Sequence, residues 1–268
     1  MAANNGNVGY RQWTPPAPRA VFLLVHGIGA HSGRWEAMAD FFLLNGIASY
    51  AVDLKDFDRR GAPEKSSYRF RDYYDKISRL YEIAVKENPE KKVFLVGESM
   101  GALISFSLVS GRPSPFSGLV CLSPAFANRH RLAIADGLKM LTALLCDRHK
   151  SFKLPFDSSM CTRDEACSRR LEEDPREYRS IPVIEIFDIL SSQFKARFGR
   201  KKIGIPLLFL IAGDDRIVDS SAAKRVFKRV AAADKMFVEF PDMRHALSID
   251  LGKEKVSMEI LNWVEKRL

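Results

Sequence analysis

The sequence predicts an α/β fold, in which a mainly parallel sheet is covered by helices on both faces and is interrupted by a mostly helical insertion. Short runs of aliphatic and aromatic residues alternate with segments whose apolar residues recur at helical spacing, and little sequence separates them. This alternation stops after residue 126 and resumes near residue 203. We therefore expect a core made of residues 1–126 and 203–268, with an inserted cap subdomain at residues 127–202.

The first part of the core is predicted to contain strands separated by helices. Strand-forming runs lie near residues 8–13 (at the sheet edge), 20–25, 49–54, 93–97 and 119–122. Helical spacing of apolar residues predicts helices within residues 32–44, 73–84 and 102–109. Gly111 is expected to stop the last of these helices, and the charged residues 55–71 predict a surface loop.

The cap and the second part of the core continue this pattern with longer helices. Two strongly apolar helices are predicted in the cap, at residues 132–145 and 181–198. Strands near 205–212 and 236–240 then resume the sheet, together with helices near 220–232 and 253–268.

The composition is that of a globular protein with a sizeable core. Hydrophobic residues make up 46% and charged residues 28% of the chain, and the formal net charge is +9. No nucleic-acid-binding motif accompanies this charge, so we expect no nucleic-acid partner. The positive charge then indicates either a solvated basic surface or a surface attracted to anionic lipid headgroups. The oligomeric state is not predicted.

Cysteine spacing and hydropathy indicate the compartment. The four cysteines show neither CxxC spacing nor a nearby pair of histidines, which favours reduced thiols over a metal site. The first residues are neither basic nor apolar, and the longest apolar runs, 20–25 and 207–212, are far too short to span a bilayer. We therefore expect a cytoplasmic location, with peripheral membrane association as an open possibility.

The stretch from residue 93 to 102 carries the strongest functional motif. A buried strand leads into Gly97-Glu98-Ser99-Met100-Gly101, and a helix follows. A sharp strand-to-helix turn holds its middle residue in strained geometry with the side chain projecting outward, and small flanking residues let the turn close. This is the pattern of the nucleophile elbow of α/β-hydrolases, with Ser99 as the nucleophile. The alternative is a glycine-rich turn with an idle serine.

A second motif, His26-Gly27-Ile28-Gly29, follows the predicted strand 20–25. Its glycines permit a turn that points a backbone amide outward, which makes Ile28 N–H a candidate oxyanion donor. Met100 N–H is the expected companion because it opens a helix directly after the nucleophile. His26 is interpreted as a structural histidine that hydrogen-bonds the loop.

A serine nucleophile needs a base, and the base needs a carboxylate to orient it. Three histidines lie beyond Ser99, namely His130, His149 and His245. The first two fall in the predicted cap, whereas His245 follows the predicted strand 236–240 by a short loop. His245 is therefore the candidate base.

The candidate acid is one of two adjacent carboxylates. Asp214 and Asp215 follow the predicted strand 205–212, and either can face His245 from that loop. Asp219 is interpreted as a helix cap, and Asp242 is too close in sequence to His245 to approach the ring from its far side.

The chain resembles the monoacylglycerol lipase and lysophospholipase branch of the α/β-hydrolases over nearly the whole predicted core. The matching residues are 26–35 (His-Gly-Ile-Gly-Ala-His-Ser-Gly-Arg-Trp), the elbow motif, Asp215-Arg216-Ile217-Val218, His245 and residues 260–264. The resemblance implies Ser99 as nucleophile, His245 as base and Asp215 as acid. It also implies that the Ile28 and Met100 amides form the oxyanion hole. The predicted cap matches only vaguely, at Asp174-Pro175 and the helix after it, and the loop after Asp53 lacks the family's histidine-glycine-serine run.

These observations together predict a serine hydrolase of carboxylic esters that acts on lipid-like substrates through an acyl-enzyme. A monoacylglycerol or a lysophospholipid is the expected substrate, and neither a metal nor an organic cofactor is expected. The alternatives are a short-chain carboxylesterase or acyltransferase of the same fold and, in another class, a non-catalytic binding protein with a hydrolase fold.

Apolar residues of the two predicted cap helices are the candidates for substrate binding. They are Leu138, Leu141, Leu145, Ile184 and Phe187. Basic residues lie within or beside the first of these helices, which favours contact of part of its surface with lipid. The alternative is a helix that buries this surface against the core.

Overall fold

The computed structural model describes residues 2–4, 8–57, 68–110, 113–129, 134–198 and 203–268. Its strands in chain order are β1 (Ala2–Asn4), β2 (Gly9–Trp13), β3 (Ala20–Val25), β4 (Ile47–Val52), β5 (Val93–Glu98), β6 (Gly118–Leu122), β7 (Ser151–Lys153), β8 (Ser180–Pro182), β9 (Leu207–Ala212) and β10 (Lys235–Phe240). Its helices are α1 (Glu36–Leu44), α2 (Phe70–Glu87), α3 (Met100–Val109), α4 (Ile134–Cys146), α5 (Ser158–Cys161), α6 (Glu165–Glu173), α7 (Val183–Phe198), α8 (Ser220–Arg229) and α9 (Lys253–Glu265).

A mainly parallel sheet forms the centre of the molecule, with the strand order β1-β2-β4-β3-β5-β6-β9-β10. The strands from β4 to β10 in this order pair in parallel, whereas β2 runs antiparallel to both β1 and β4. Because parallel strands joined through helices all end at the same edge, the loops after β3, β5, β9 and β10 lie close together. The predicted fold class is therefore confirmed.

Alternating side chains of the central strands enter two apolar layers. In β3, which is buried along its whole length, Val21 and Leu23 face the layer that α2, α3 and α8 cover. Phe22 and Leu24 point to the opposite layer, which α1 and α9 cover. A strand buried on both faces reads as a continuous apolar run, which explains why these strands were predictable.

Between β6 and β9 the chain leaves the sheet. The described part of residues 127–202, which we call the cap segment, forms α4 to α7 and the antiparallel pair β7–β8. An apolar cluster that includes Leu154, Tyr178 and Ile181 packs against Ile28 and attaches the cap segment to the core. The cap segment therefore covers the carboxyl ends of the strands, where the predicted site residues lie.

Some local predictions differ from the structure. The strand near residues 8–13 is not at the edge, because β1 pairs with its outer side. The first predicted helix begins as a 3-10 turn, Ser32–Trp35, and α5, α6 and the β7–β8 pair were not predicted. The expected stop at Gly111, the loop 59–63, and the cap residues His130 and Leu132 lie outside the described residues.

The charged segment 55–71 was expected to be a surface loop, and this prediction is wrong at Lys55. Lys55 is only 4% exposed, and its Nζ lies 2.8 Å from Oε2 of the buried Glu185 on α7. Tyr73 OH donates to the other oxygen of the same carboxylate at 2.7 Å. A buried charge needs a partner of this kind, and this one belongs to the cap segment 130 residues further along the chain.

Across the described stretches of the chain, no helix has both the length and the hydropathy needed to cross a membrane.

Candidate active site

Ser99 lies at a sharp turn between β5 and α3. Its backbone has φ +56° and ψ −117°, a conformation that is strained for any residue other than glycine. A Cβ on Gly97 would come within 2.6 Å of Gly101 O, and a Cβ on Gly101 would come within 2.2 Å of Val25 O. Both positions are therefore restricted to glycine by close backbone approach. The glycines of the sequence motif thus stand at the two positions where the turn requires them.

His245 bridges Ser99 and Asp215. Its Nε2 lies 2.8 Å from Ser99 Oγ, and its Nδ1 lies 2.7 Å from Asp215 Oδ2. The second oxygen of Asp215 accepts hydrogen bonds from Ile217 N–H and Val218 N–H, each at 2.9 Å. The carboxylate is thus fixed by its own turn, and it selects the histidine tautomer whose Nε2 accepts the serine proton.

Asp214, the other candidate for the acid, points away from the ring. Its side chain is 47% exposed and lies 3.3 Å from Arg216 Nη2. Asp215 is 1% exposed, so the structure brings Asp215 and not Asp214 to His245. The interpretation of Asp219 as a helix cap agrees with its hydrogen bond from Ser221 N–H at the start of α8.

Burial and charge act in opposite directions on His245. Burial disfavours the imidazolium and lowers the pKa, but the adjacent Asp215 carboxylate raises it, and the balance leaves the pKa of His245 above its ordinary value. A base with a raised pKa holds the proton from serine more firmly, which suits the step in which Ser99 attacks.

The loop with the second motif lies directly over Ser99. A Cβ on Gly27 would be 3.1 Å from Ser99 Cβ, so a side chain at position 27 would crowd the nucleophile. Within the described residues, no acceptor takes a hydrogen bond from Ile28 N–H. Met100 N–H opens α3, where first-turn amides lack partners inside the helix. These are the two amides predicted to bind an oxyanion.

His26 has the structural position expected for it. Leu54 N–H donates to its Nε2 at 3.1 Å, and its Nδ1 lies 2.8 Å from Gly27 O, so the ring proton is on Nδ1. Burial lowers the pKa of His26, which keeps the ring neutral and able to accept the Leu54 amide.

An apolar cavity of about 380 Å³ opens onto Ser99. Its walls come from the core at Ile28 and Met100 and from the cap segment at residues such as Leu154, Phe156 and Ile189. Such a lining binds hydrocarbon, and the volume lies within the range of small-molecule sites.

None of the five cap residues predicted to bind substrate lines this cavity. On α4, Asp136 and Met140 reach it, whereas Leu138, Leu141 and Leu145 are 60%, 48% and 80% exposed. These leucines follow the spacing i, i+3, i+7 on a face turned away from the cavity.

The two substrate-binding residues predicted on α7 also lie away from the cavity. The α7 residues at the cavity are Ile186, Ile189 and Leu190, with the spacing i, i+3, i+4 of one helix face. Ile184 and Phe187 are half-buried and belong to other faces of the helix. Both cap helices carry apolar residues on more than one face, so the sequence pattern did not identify the inward side.

A second, polar cavity of about 30 Å³ adjoins Ser99. Its lining includes Arg34, Glu98, Cys161, Glu177 and Arg179, together with His245. Glu177 accepts two hydrogen bonds from Arg34, from Nε at 2.5 Å and from Nη2 at 2.8 Å. Neither Glu98 nor Glu177 was predicted from the sequence as a site residue, although Glu98 stands within the elbow motif.

No group of three or more His, Cys, Asp or Glu side chains in the described part of the chain has the arrangement of a metal site.

Comparison with known proteins agrees with this geometry. A family model described as "Serine aminopeptidase, S33" (Hydrolase_4) matches residues 16–252. The chain belongs to this family of serine hydrolases in the α/β-hydrolase superfamily.

Individual relatives are similar over nearly the full chain. A monoglyceride lipase of Rattus norvegicus is 27% identical, covering 96% of this chain and 86% of the relative. A phospholipase of Bacillus subtilis is 25% identical, with coverages of 91% and 94%. The solved structure of a soluble variant of a Saccharomyces cerevisiae monoglyceride lipase, in complex with a substrate analogue, superposes with a TM-score of 0.85 at 20% identity, covering 100% of this chain and 94% of that one.

Proposed function

We propose that this enzyme hydrolyses carboxylic esters of long acyl chains, with a monoacylglycerol or a lysophospholipid as substrate. The observation that carries the proposal is the hydrogen-bonded series Asp215–His245–Ser99 at the opening of an apolar cavity. A binding protein that used only the fold would not need all three side chains at these distances. The similarity to monoglyceride lipases and to a phospholipase supports the substrate class and leaves two headgroups to compare.

The mechanism follows from the positions of these groups. Ser99 Oγ attacks the ester carbonyl while His245 Nε2 takes its proton, and the Ile28 and Met100 amides bind the oxyanion. His245 then gives the proton to the leaving alcohol, which departs and leaves the acyl group on Ser99. A water molecule, deprotonated by His245, attacks this acyl-enzyme, and the carboxylic acid leaves as Ser99 regains its proton.

The two cavities suit two participants in the reaction, the acyl chain and the attacking water. The acyl chain lies in the cavity of about 380 Å³ between core and cap segment, because its walls are apolar. The attacking water approaches from the side of the smaller cavity, next to Arg34 and Glu177, where about 30 Å³ leaves room for about one water molecule. Residues 127–202 act as a cap subdomain in this proposal, because the described part of this segment forms most of the acyl cavity.

We further propose that the exposed face of α4 contacts a lipid surface. Leu138, Leu141 and Leu145 lie together on it, and Lys139 and Lys150 are exposed nearby. Each basic residue near an anionic surface contributes about 1 kcal/mol to binding. Asp136 and Met140 on the other side of α4 border the acyl cavity, so a docked α4 would place the cavity next to the lipid that holds the substrate.

A labelling and hydrolysis experiment tests the main proposal. Wild-type protein should react with a fluorophosphonate probe and hydrolyse long-chain monoacylglycerols or lysophosphatidylcholines faster than short-chain esters. Ser99→Ala should lose labelling and at least about 10⁴-fold in turnover while it stays folded. Substantial turnover by a folded Ser99→Ala variant would contradict the serine mechanism, and a preference for short chains would contradict the lipid assignment.

A further inference from the structure

One buried carboxylate connects the chain segments that carry the nucleophile and the base, and it takes no part in the mechanism above. Glu98 is the last residue of β5 and directly precedes Ser99, and it is 6% exposed. Its Oε1 accepts a hydrogen bond from Ser248 N–H at 2.9 Å, and its Oε2 accepts one from Ser248 Oγ–H at 2.7 Å. A buried carboxylate requires such donors, and here both come from a single residue.

Ser248 belongs to the turn that carries His245. Leu247 N–H donates to His245 O at 3.1 Å, and Asp250 N–H donates to Ala246 O at 3.0 Å, so residues 245–250 form a compact unit. Ser248 is fully buried within this unit. A contact that fixes Ser248 therefore also fixes the backbone of His245.

We propose that Glu98 is a positioning residue of the active site: it holds the turn with His245 against the nucleophile elbow, and its negative charge acts on the histidine ring. The proposal rests on the function proposed above. Because Glu98 and Ser99 are neighbours on the same turn, the hydrogen bonds to Ser248 set the distance between the nucleophile and the base directly. Displacement of a reacting group by about 1 Å can cost about 100-fold in rate.

The charge of Glu98 reaches the ring across the polar cavity, which both side chains line. The charged groups that face His245 come from several elements. They are Asp215 from the loop after β9, Glu98 from β5, Arg34 from the 3-10 turn, and Glu177 and Arg179 of the cap segment at the same cavity. Asp215 and Glu98 both raise the pKa of His245, against the effects of burial and of Arg34. Burial raises the pKa of Glu98 above its ordinary value, and the two hydrogen bonds from Ser248 oppose that rise and favour the charged carboxylate.

Glutamine at position 98 separates the two parts of the proposal. Its carbonyl oxygen can accept the Ser248 amide and its NH₂ group can donate to Ser248 Oγ, so Glu98→Gln keeps both contacts and removes only the charge. Glu98→Ala removes charge and contacts together. Ser248→Ala removes only the hydroxyl contact. Ser105→Ala is the matched control, because Ser105 is also fully buried and its Oγ has no hydrogen-bond partner among the described residues.

The test measures kcat and KM for a soluble ester as a function of pH, together with the melting temperature of each variant. Glu98→Ala should lose about 30- to 100-fold in kcat with KM nearly unchanged. Glu98→Gln should recover most of kcat at its best pH, while the acid limb of kcat/KM moves to lower pH by about half a unit or more, because loss of the negative charge lowers the pKa of His245. Ser248→Ala should lose about 3- to 10-fold, and Ser105→Ala should equal wild type.

Two results would overturn the proposal. One is a folded Glu98→Ala variant whose kcat stays within about twofold of wild type, and the other is an acid limb that Glu98→Gln leaves unchanged. If Glu98→Ala does not fold, Glu98→Gln and Ser248→Ala decide the matter. An active wild type with unaffected variants counts against this proposal alone, whereas a wild type without labelling or turnover counts against the proposed function.

Discussion

Asp215→Asn is the substitution whose effect the structure defines most closely. Asp215 Oδ1 accepts hydrogen bonds from two backbone amides, at Ile217 and Val218, so an asparagine keeps its carbonyl oxygen at that position. Its NH₂ group then faces His245 Nδ1, where the carboxylate Oδ2 lies 2.7 Å away in the wild type. Two donors cannot pair, so the ring must carry its proton on Nε2.

That tautomer reverses the contact with the nucleophile. Nε2 lies 2.8 Å from Ser99 Oγ, and with a proton on Nε2 the ring donates to the serine instead of accepting its proton. The loss expected for this change is about 10⁴-fold in kcat, or about 5 kcal/mol of transition-state stabilisation. The overall geometry should be preserved, because asparagine has the size and shape of aspartate.

Asp214→Asn is the matched control, since it makes the same chemical change one residue earlier. Asp214 is half-exposed and pairs with the exposed Arg216 at 3.3 Å and with the half-buried Arg244 at 3.9 Å, neither of which touches the histidine ring through it, so its loss should change kcat by no more than about twofold. The assay is hydrolysis of a chromogenic ester by both variants, with melting temperatures to establish folding. Equal losses in the two variants, or a larger loss at Asp214, would refute this account of the acid.

The pH dependence provides a second measurement on the same pair of residues. The neutral form of His245 is the base, so activity falls as the pH drops through its pKa, and the raised pKa places the acid limb of the wild type above the usual value of 6.5. In Asp215→Asn the carboxylate that raises this pKa is absent, so the acid limb of the residual activity should lie at lower pH. A limb that does not move would show that Asp215 does not govern the protonation of His245.

Three further predictions concern the elbow, acid stability and the lipid surface. Gly101→Ala should lose about 100-fold in kcat, because the new Cβ would lie 2.2 Å from Val25 O. The control Gly137→Ala, which has open space at its Cβ, should keep full activity. Equal activities of the two variants would contradict the close approach at Gly101. Burial, together with the positive charge of Arg176, lowers the pKa of His31 to about 3. Between pH 6.5 and about 3, the unfolded chain therefore binds a proton at this histidine and the folded chain does not. The melting temperature should therefore fall as the pH drops from about 6.5 towards 3, and less steeply in His31→Gln; parallel curves would contradict this. Wild type should co-sediment with anionic vesicles at low salt. The double variant Leu141→Glu, Leu145→Glu should lose this vesicle binding, whereas the control Leu44→Glu should keep it. A wild type that never sediments with vesicles would refute the contact of α4 with lipid.

The sequence predicted the sheet and the elbow because both are encoded locally. Short continuous apolar runs such as 20–25 and 207–212, rich in branched and aromatic residues, favour strands buried on two faces, and the glycines around Ser99 mark a sharp turn in the sequence itself. His245 could be selected by elimination and loop position. The choice between Asp214 and Asp215 depends on which side chain the turn directs inward, and only the resemblance to known enzymes assigned it in advance.

The parts that the sequence did not predict depend on contacts between distant segments. The inward faces of α4 and α7 are set by how the cap segment packs on the core, and both helices carry apolar residues on competing faces. Lys55 appeared to belong to a surface loop because its partner, Glu185, lies 130 residues away. Glu98 and Ser248, 150 residues apart, were overlooked for the same reason.

Several polar contacts between cap segment and core involve the loop that precedes the first helix. Tyr178 N–H donates to Gly29 O at 3.0 Å, Glu177 pairs with Arg34, and Asp174 lies 3.1 Å from the His31 ring. The same loop carries the Ile28 amide, so a movement of these cap residues would reach the proposed oxyanion donor through a short stretch of backbone. Under the proposed function, the cap segment therefore has two effects on ester hydrolysis: its apolar side chains select the acyl group that fits, and its polar contacts hold the oxyanion donor in place. Substitutions in residues 174–178 should consequently alter kcat, whereas substitutions at the cavity face of α7 should alter KM and chain-length preference.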